Sequence, residues 1–223
     1  MVRNDDLPTT IASATRYAFS NLSAVLFGGV VIALSFLIIG LPFFLGYITR
    51  CMREIANGNG VMPEWDEIGQ MFVDGLRMSL VFLAYVAIYL LIALIPAVPV
   101  VLCYVTNNTL LLAISALVFG FAMALVAAAF GVVFFASWTV YANTDSVRKA
   151  INLRQVIRLV SYNPSGYVVA ILATLVIAAI GLVAMALFVT IPWAVFVICA
   201  ASTYVYAKFY QNTIKSAAVD WLK

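Results

Sequence analysis

Histidine is absent from the 223 residues and charge is scarce, with only 9% Asp, Glu, Lys and Arg. Without imidazole the chain lacks the usual proton shuttle near neutrality and the commonest metal ligand. The low charge excludes a water-soluble fold, because soluble domains carry roughly a quarter charged residues. Cysteine is sparse as well: Cys51, Cys103 and Cys199 are an odd, widely spaced set that points to neither a disulfide framework nor a thiolate metal cage. They read as small apolar fillers, with Cys51, beside Arg50 and Arg53, the one placed for juxtamembrane lipidation. A net charge of +3 with no Lys- or Arg-rich block sets nucleic acid aside. Nucleophile elbow, paired Ser and Lys, zinc motif and phosphate-binding glycine loop are all missing. The chain is therefore expected not to be an enzyme, with no catalytic residue, no metal and no cofactor.

What is abundant is apolar sequence, 65% of the chain. A span needs about 20 mostly apolar residues, because the hydrocarbon core is about 30 Å thick and a helix rises 1.5 Å per residue. Five runs qualify, at residues 24–48, 79–104, 109–141, 167–189 and 192–207, none with a charged residue inside. The expectation is an all-α, polytopic transmembrane bundle forming one membrane domain over 1–223. Gly40 and Pro42 make the first run the one expected to bend, or to fold as a re-entrant pair of half-helices. Two acids precede any apolar stretch and no small-residue cleavage site follows the first run, so it is expected to be retained rather than cleaved as a signal peptide.

Basic residues set the expected orientation. Arg50, Arg53 and Arg77 follow the first run, Arg148, Lys149, Arg154 and Arg158 follow the third, and Lys208, Lys215 and Lys223 lie in the tail. Arg3 and Arg16 alone fall on the other side, so the large loops and the C-terminus are expected in the cytoplasm of a cell-membrane protein. Five full spans place the N-terminus outside, whereas a re-entrant first segment places both termini inside. Sequons at Asn21 and Asn107 fall on the expected outer side but are common by chance.

Two cytoplasmic segments carry helical periodicity. In 63–78, Trp65, Ile68, Phe72 and Leu76 recur every three or four residues behind acids suited to a first turn, predicting an interfacial amphipathic helix. In 145–160, Ala150, Leu153, Ile157 and Val160 share one face and Arg148, Arg154 and Arg158 the other, predicting a second. Glu67 and Asp74 share a face, a weak signal for a divalent cation that helix capping explains more simply. Pairing of the acidic segment with the basic one is the alternative.

Candidate functional residues are then of two kinds. Arg50, Arg53, Arg148, Arg154 and Arg158 stand where guanidiniums meet lipid headgroups, although snorkelling arginines are ordinary at helix ends. Gly120, Ala124, Ala127 and Gly131 in the third run, and Ala170, Thr174, Ala178 and Gly181 in the fourth, are small residues in register. Such faces bring helices close, either within one subunit or between copies of a homo-oligomer. No ionisable residue lies within a run, which disfavours proton-coupled transport.

Pro42, Gly46, Tyr47 and Arg50, then Gly58, then Pro63, Trp65 and Asp66, then Asp74 and Gly75 form a pattern that resembles an uncharacterised, chiefly archaeal membrane family, the domain-of-unknown-function family numbered 4013. The segment from Tyr141 through Asp145 and Arg148 to Ala150 is similar in character. The resemblance implies a membrane protein and carries no chemistry. The expected function is a non-catalytic membrane component that forms oligomers or organises lipids or a partner protein of unknown identity. The alternative is a transporter or channel for an uncharged or lipid-like substrate.

Overall fold

The structure is a computed structural model that describes residues 6–35, 39–186 and 188–216. The elements are α1 (Leu7–Ala18), α2 (Leu22–Ser35), α3 (Gly40–Ala56), α4 (Ile68–Val105), α5 (Thr109–Thr144), α6 (Val147–Ile151), α7 (Leu153–Tyr162), α8 (Pro164–Ala184) and α9 (Ile191–Ser216). A short 3-10 turn, Phe188–Thr190, precedes α9, and the described residues contain no strand. Four helices, α4, α5, α8 and α9, are long and apolar enough to cross a membrane. A fifth span is reached if α1 and α2, bent by 82° from each other, count as one. The all-α bundle expected from the apolar runs is the fold observed.

The first apolar run is not a single helix. Gly28 on α2 and Phe44 on α3 both meet Phe196 on α9, and they stand equally far in sequence from residue 36. The two helices therefore pair as an antiparallel hairpin, and the expected span at 24–48 is corrected to α2 and α3. Gly40 permits the start of α3 to lie directly on the end of α2: a β-carbon there would overlap the Val31 carbonyl and the Ser35 amide. The bend between α1 and α2 has its own cause, because Asn21 Oδ1 accepts the Ala24 amide at 3.2 Å and so starts a new helix. Ser20 Oγ meanwhile accepts the Met62 amide at 2.9 Å, tying the bend to the α3–α4 connection. Asn21 consequently stands at the end of the bundle that carries the basic loops, not at the opposite end where the sequon reading put it.

The expected interfacial helix at 63–78 is likewise redrawn. Residues 63–67 are not helical, Glu67 adopts a left-handed backbone (φ 40°), and α4 runs unbroken from Ile68 to Val105. A left-handed non-glycine residue costs about 1 kcal/mol. Trp65 offsets that by stacking on Tyr47, ring centroids 4.0 Å apart, and donating its Nε1 hydrogen to the Ala24 carbonyl at 3.1 Å. The residue read as part of an amphipathic face is the wedge that joins α2 to α3. The segment 145–160 divides at Asn152, whose Oδ1 caps α7 by accepting the Arg154 amide. In α7 the buried residues are Val156 and Leu159, whereas Leu153 and Ile157 are exposed beside Arg154 and Arg158. Of the expected apolar face, Ala150 is buried, Val160 is half-buried, and Leu153 and Ile157 lie on the surface.

α4 and α5 are antiparallel, with Phe82 against Phe134 and Tyr89 against Phe130. α8 and α9 are antiparallel too, with Gly181 on Ile198 and Tyr167 on Phe209. α3 runs parallel to α9, from Phe44 beside Phe196 to the Ala56 carbonyl beside Gln211. Asp6 and Leu7, where the described residues begin, line one cavity with Lys208 and Asn212. Both described ends of the chain therefore sit at one end of the bundle, the arrangement that a re-entrant first segment requires.

Candidate functional site

At the basic end, α3 carries two arginines that are engaged with carboxylates. Arg50 pairs with Asp66 and stands 3.8 Å from Glu67. Arg53 donates from Nη1 to Asp74 at 3.2 Å, from Nη2 to Asp145, and from Nε to the Ala142 carbonyl at 3.1 Å. Asp145 reaches it because it ends α5 in a left-handed conformation (φ 49°). A small cavity of about 170 Å³ lies among these groups. The hydrogen bond from Arg50 holds the exposed Asp66 carboxyl below its ordinary range. Glu67 and Asp74, read as facing the same way, are instead each held by an arginine, and Arg50 and Arg53 are occupied inside the protein. Arg148, Arg154 and Arg158 remain on the exposed surface of α6 and α7.

The two small-residue faces separate. On α8, Ala170 is buried and Gly181 packs directly on Ile198 of α9, so that face is used within the chain. Thr174 and Ala178 lie between them, half-buried. On α5, Gly120, Ala124 and Ala127 are exposed, and nothing lies within 4 Å of where a β-carbon at Gly120 or Gly131 would stand.

A two-part concave feature follows the seam of α8 and α9 where α1 packs on it. Its first part, about 310 Å³, is apolar: Phe19, Val25, Ile177, Ile180, Ala184, Trp193 and Val197 face it. Its second part, about 290 Å³, is polar, with Asp6, Thr10, Ser13, Asn163, Ser165 and Lys208 around it. The parts adjoin. On α1 Ser13 lines one and Thr15 the other; on α9 Val205 lines one and Ala201 the other, a single helical turn apart. Each volume is at the lower end for a small-molecule site, roughly 300–1,000 Å³.

Local structure fixes the polar part. Asn163 caps α8 through its Oδ1, which accepts the Gly166 amide at 3.0 Å. A β-carbon at Gly166 would collide with the Asn163 amide, so only glycine permits this cap. The positive end of the α8 dipole therefore faces the cavity. Lys208 lines the same part; its ammonium lies 5.8 Å from the centroid of the Tyr204 ring and donates to Gln211 at 3.0 Å. Trp193 bounds the far apolar end, its Nε1 donating to the Leu26 carbonyl at 3.2 Å.

Sequence reasoning missed this cleft because α1 was not foreseen. Its twelve residues are too few and too polar to register as a span. A usable signal was present: Pro8 in the first turn after Asp6, with Leu7, Ile11, Ala14 and Ala18 at helical spacing.

A family model described as "Protein of unknown function (DUF4013)" matches residues 14–206. No curated protein and no solved structure matches the chain.

Proposed function

Starting from the premise that the chain belongs to the DUF4013 family, we propose that it is a non-catalytic, multi-pass membrane protein that holds a lipid in the cleft formed by α1, α8 and α9. The observation that carries this is the pairing of an apolar groove with a polar cavity along one helix seam. From Ala194 to Lys208 along α9 is about 20 Å at 1.5 Å per residue. Half the hydrocarbon core is about 15 Å, so the cleft matches one leaflet with its headgroup layer. Phe19, Ile180 and Ala184 on the rim are exposed, which opens the groove sideways toward lipid rather than through the bundle. This favours lipid retention over the transport reading.

The polar part lies at the end that carries Arg50, Arg53 and the α6–α7 arginines, while the α4–α5 connection carries no charge. By the positive-inside rule that end is cytoplasmic, and the occupant belongs to the inner leaflet. Exposed Leu153 and Ile157, flanked by Arg154 and Arg158, suit the surface of that leaflet. The test is native mass spectrometry of gently extracted protein. Wild type is expected to keep about one lipid per chain, and Ala184→Trp, which fills the apolar groove, to lose it. Equal retention by both proteins overturns the reading.

A further inference from the structure

We propose that the occupant of this cleft is a zwitterionic phospholipid, its phosphate held by Lys208 with the N-terminus of α8 and its headgroup ammonium by Asp6. The inference rests on the lipid reading above and adds the headgroup class. Among the described lining residues of the polar cavity, Lys208 is the one cation and Asp6 the one anion; the other polar groups are neutral hydroxyls and amides. A site so composed has no net charge to attract an anion or a cation alone, but it has two opposite poles.

The positive pole has two sources that reinforce each other. α8 is 21 residues long and its first turn opens on the cavity at Ser165 and Gly166. The partial positive charge of a helix start favours phosphate, and the ammonium of Lys208 adds a full charge to the same wall. Pro164 has no amide hydrogen, Asn163 takes that of Gly166, and the Ser165 hydroxyl donates to Asn163 Oδ1 at 3.3 Å, which leaves the Ser165 amide as the nearest donor of that turn. The negative pole is Asp6, at the N-terminus of α1, where it makes no side-chain capping bond to the helix it begins. Its carboxylate is therefore not committed to α1 itself, and Thr10 and Ser13 stand beside it on the same wall. A phosphate and an ammonium linked within one headgroup satisfy both poles. A headgroup bearing phosphate and only hydroxyls leaves Asp6 facing a second negative charge.

The experiment relipidates the full-length protein with vesicles of equal phosphatidylethanolamine and phosphatidylglycerol and measures the retained lipid by native mass spectrometry. Wild type is expected to keep the ethanolamine lipid over the glycerol lipid by roughly fivefold to tenfold, the scale of one charge-assisted contact. Lys208→Gln is expected to lower retention of both lipids. Asp6→Asn, which preserves N-cap character, is expected to erase the preference, lowering retention of the ethanolamine lipid and raising that of the glycerol lipid. Absence of preference in wild type, or its persistence in Asp6→Asn, overturns the headgroup assignment. If Ala184→Trp still releases both lipids in that case, the lipid reading stands without the headgroup assignment; if Ala184→Trp releases neither, both fall. Displacement of the lipid by excess inorganic phosphate also overturns the proposal, because the polar cavity would then be a site for free phosphate.

Discussion

Arg53 on α3 and Asp74 on α4 stand 3.2 Å apart, with the Asp74 side chain 9% exposed and the arginine 27%. The same guanidinium pairs with Asp145, which is 62% exposed. One side chain thus joins three helices, but its two carboxylates are in different surroundings. Removing a partner from a buried pair leaves a charge without compensation, whereas an exposed pair contributes about 0–1 kcal/mol. Asp74→Ala is expected to cost about 2 kcal/mol, discounted for the partial exposure of Arg53, and Asp145→Ala less than about 1 kcal/mol. Thermal unfolding in detergent micelles checks the order; equal losses would show that burial at Asp74 does not matter.

Glycines on α3 and α4 are where the two backbones touch. A β-carbon at Gly75 would overlap the Pro42 carbonyl, and one at Gly46 the Met71 carbonyl, so neither obstacle is a side chain that can turn away. Gly75→Ala is expected to destabilise by about 3 kcal/mol or more, the upper range for overpacking. Gly120→Ala meets nothing within 4 Å and is expected to stabilise the helix by about 0.5–1 kcal/mol through lost unfolded-state entropy. Expression yield and unfolding temperature of the pair read the contrast directly.

The parts of the fold legible in the sequence are those set by local hydrophobicity. Residues 79–104 and 109–141 fall inside α4 and α5 because an uninterrupted apolar run needs no partner to declare itself. The hairpin of α2 and α3 was legible only as a choice at Gly40 and Pro42, and the contact that settles it, Gly28 on Phe196, joins residues far apart in the chain. Trp65 misled for a related reason. Its spacing to Ile68 and Phe72 fits a helix face, but the energy available from stacking on Tyr47 outweighs one more helical turn. The cleft was least legible, since Asp6, Asn163 and Lys208 come together only through tertiary packing.

Asp66 supplies a pH dependence. Its carboxyl is held below the ordinary carboxylate range, first by the hydrogen bond from Arg50. A carboxylate with a lowered folded-state value contributes stability above its unfolded-state value and loses that contribution as pH falls through the folded-state value. The loss therefore belongs below about pH 4. Wild type is expected to show a steeper acid fall in unfolding temperature than Asp66→Asn, with the two converging in the most acid samples. Parallel curves would mean that the pair contributes nothing to folding.

Topology is open to a direct test by cysteine labelling. With Cys51, Cys103 and Cys199 replaced by alanine, single cysteines at Asn107 and at Ser161 stand at opposite ends of the bundle. In intact cells a membrane-impermeant maleimide is expected to modify the Asn107 site alone, and the Ser161 site only after lysis. A third cysteine at Thr9 is expected to behave like Ser161, because the start of α1 shares its end with Lys208 and Asn212. Labelling at Thr9 from outside would contradict the re-entrant hairpin and restore five separate spans.

Self-association has its own discriminating position. In α8 Gly181 is spent on α9, so of the two small-residue faces the one from Gly120 to Ala127 on α5 is left to pack against another copy. Close approach of two such faces tolerates no bulk, while a face that meets only lipid accepts it. Gly120→Leu is therefore expected to convert an oligomer to monomer in sedimentation through mild detergent, without lowering the unfolding temperature of the subunit. Ala178→Leu, on the seam between α8 and α9, is expected to do the reverse, destabilising the fold at unchanged mass. If Gly120→Leu leaves the sedimentation coefficient unaltered, the α5 face is a lipid-facing surface, and the cleft at α1, α8 and α9 alone carries the functional reading.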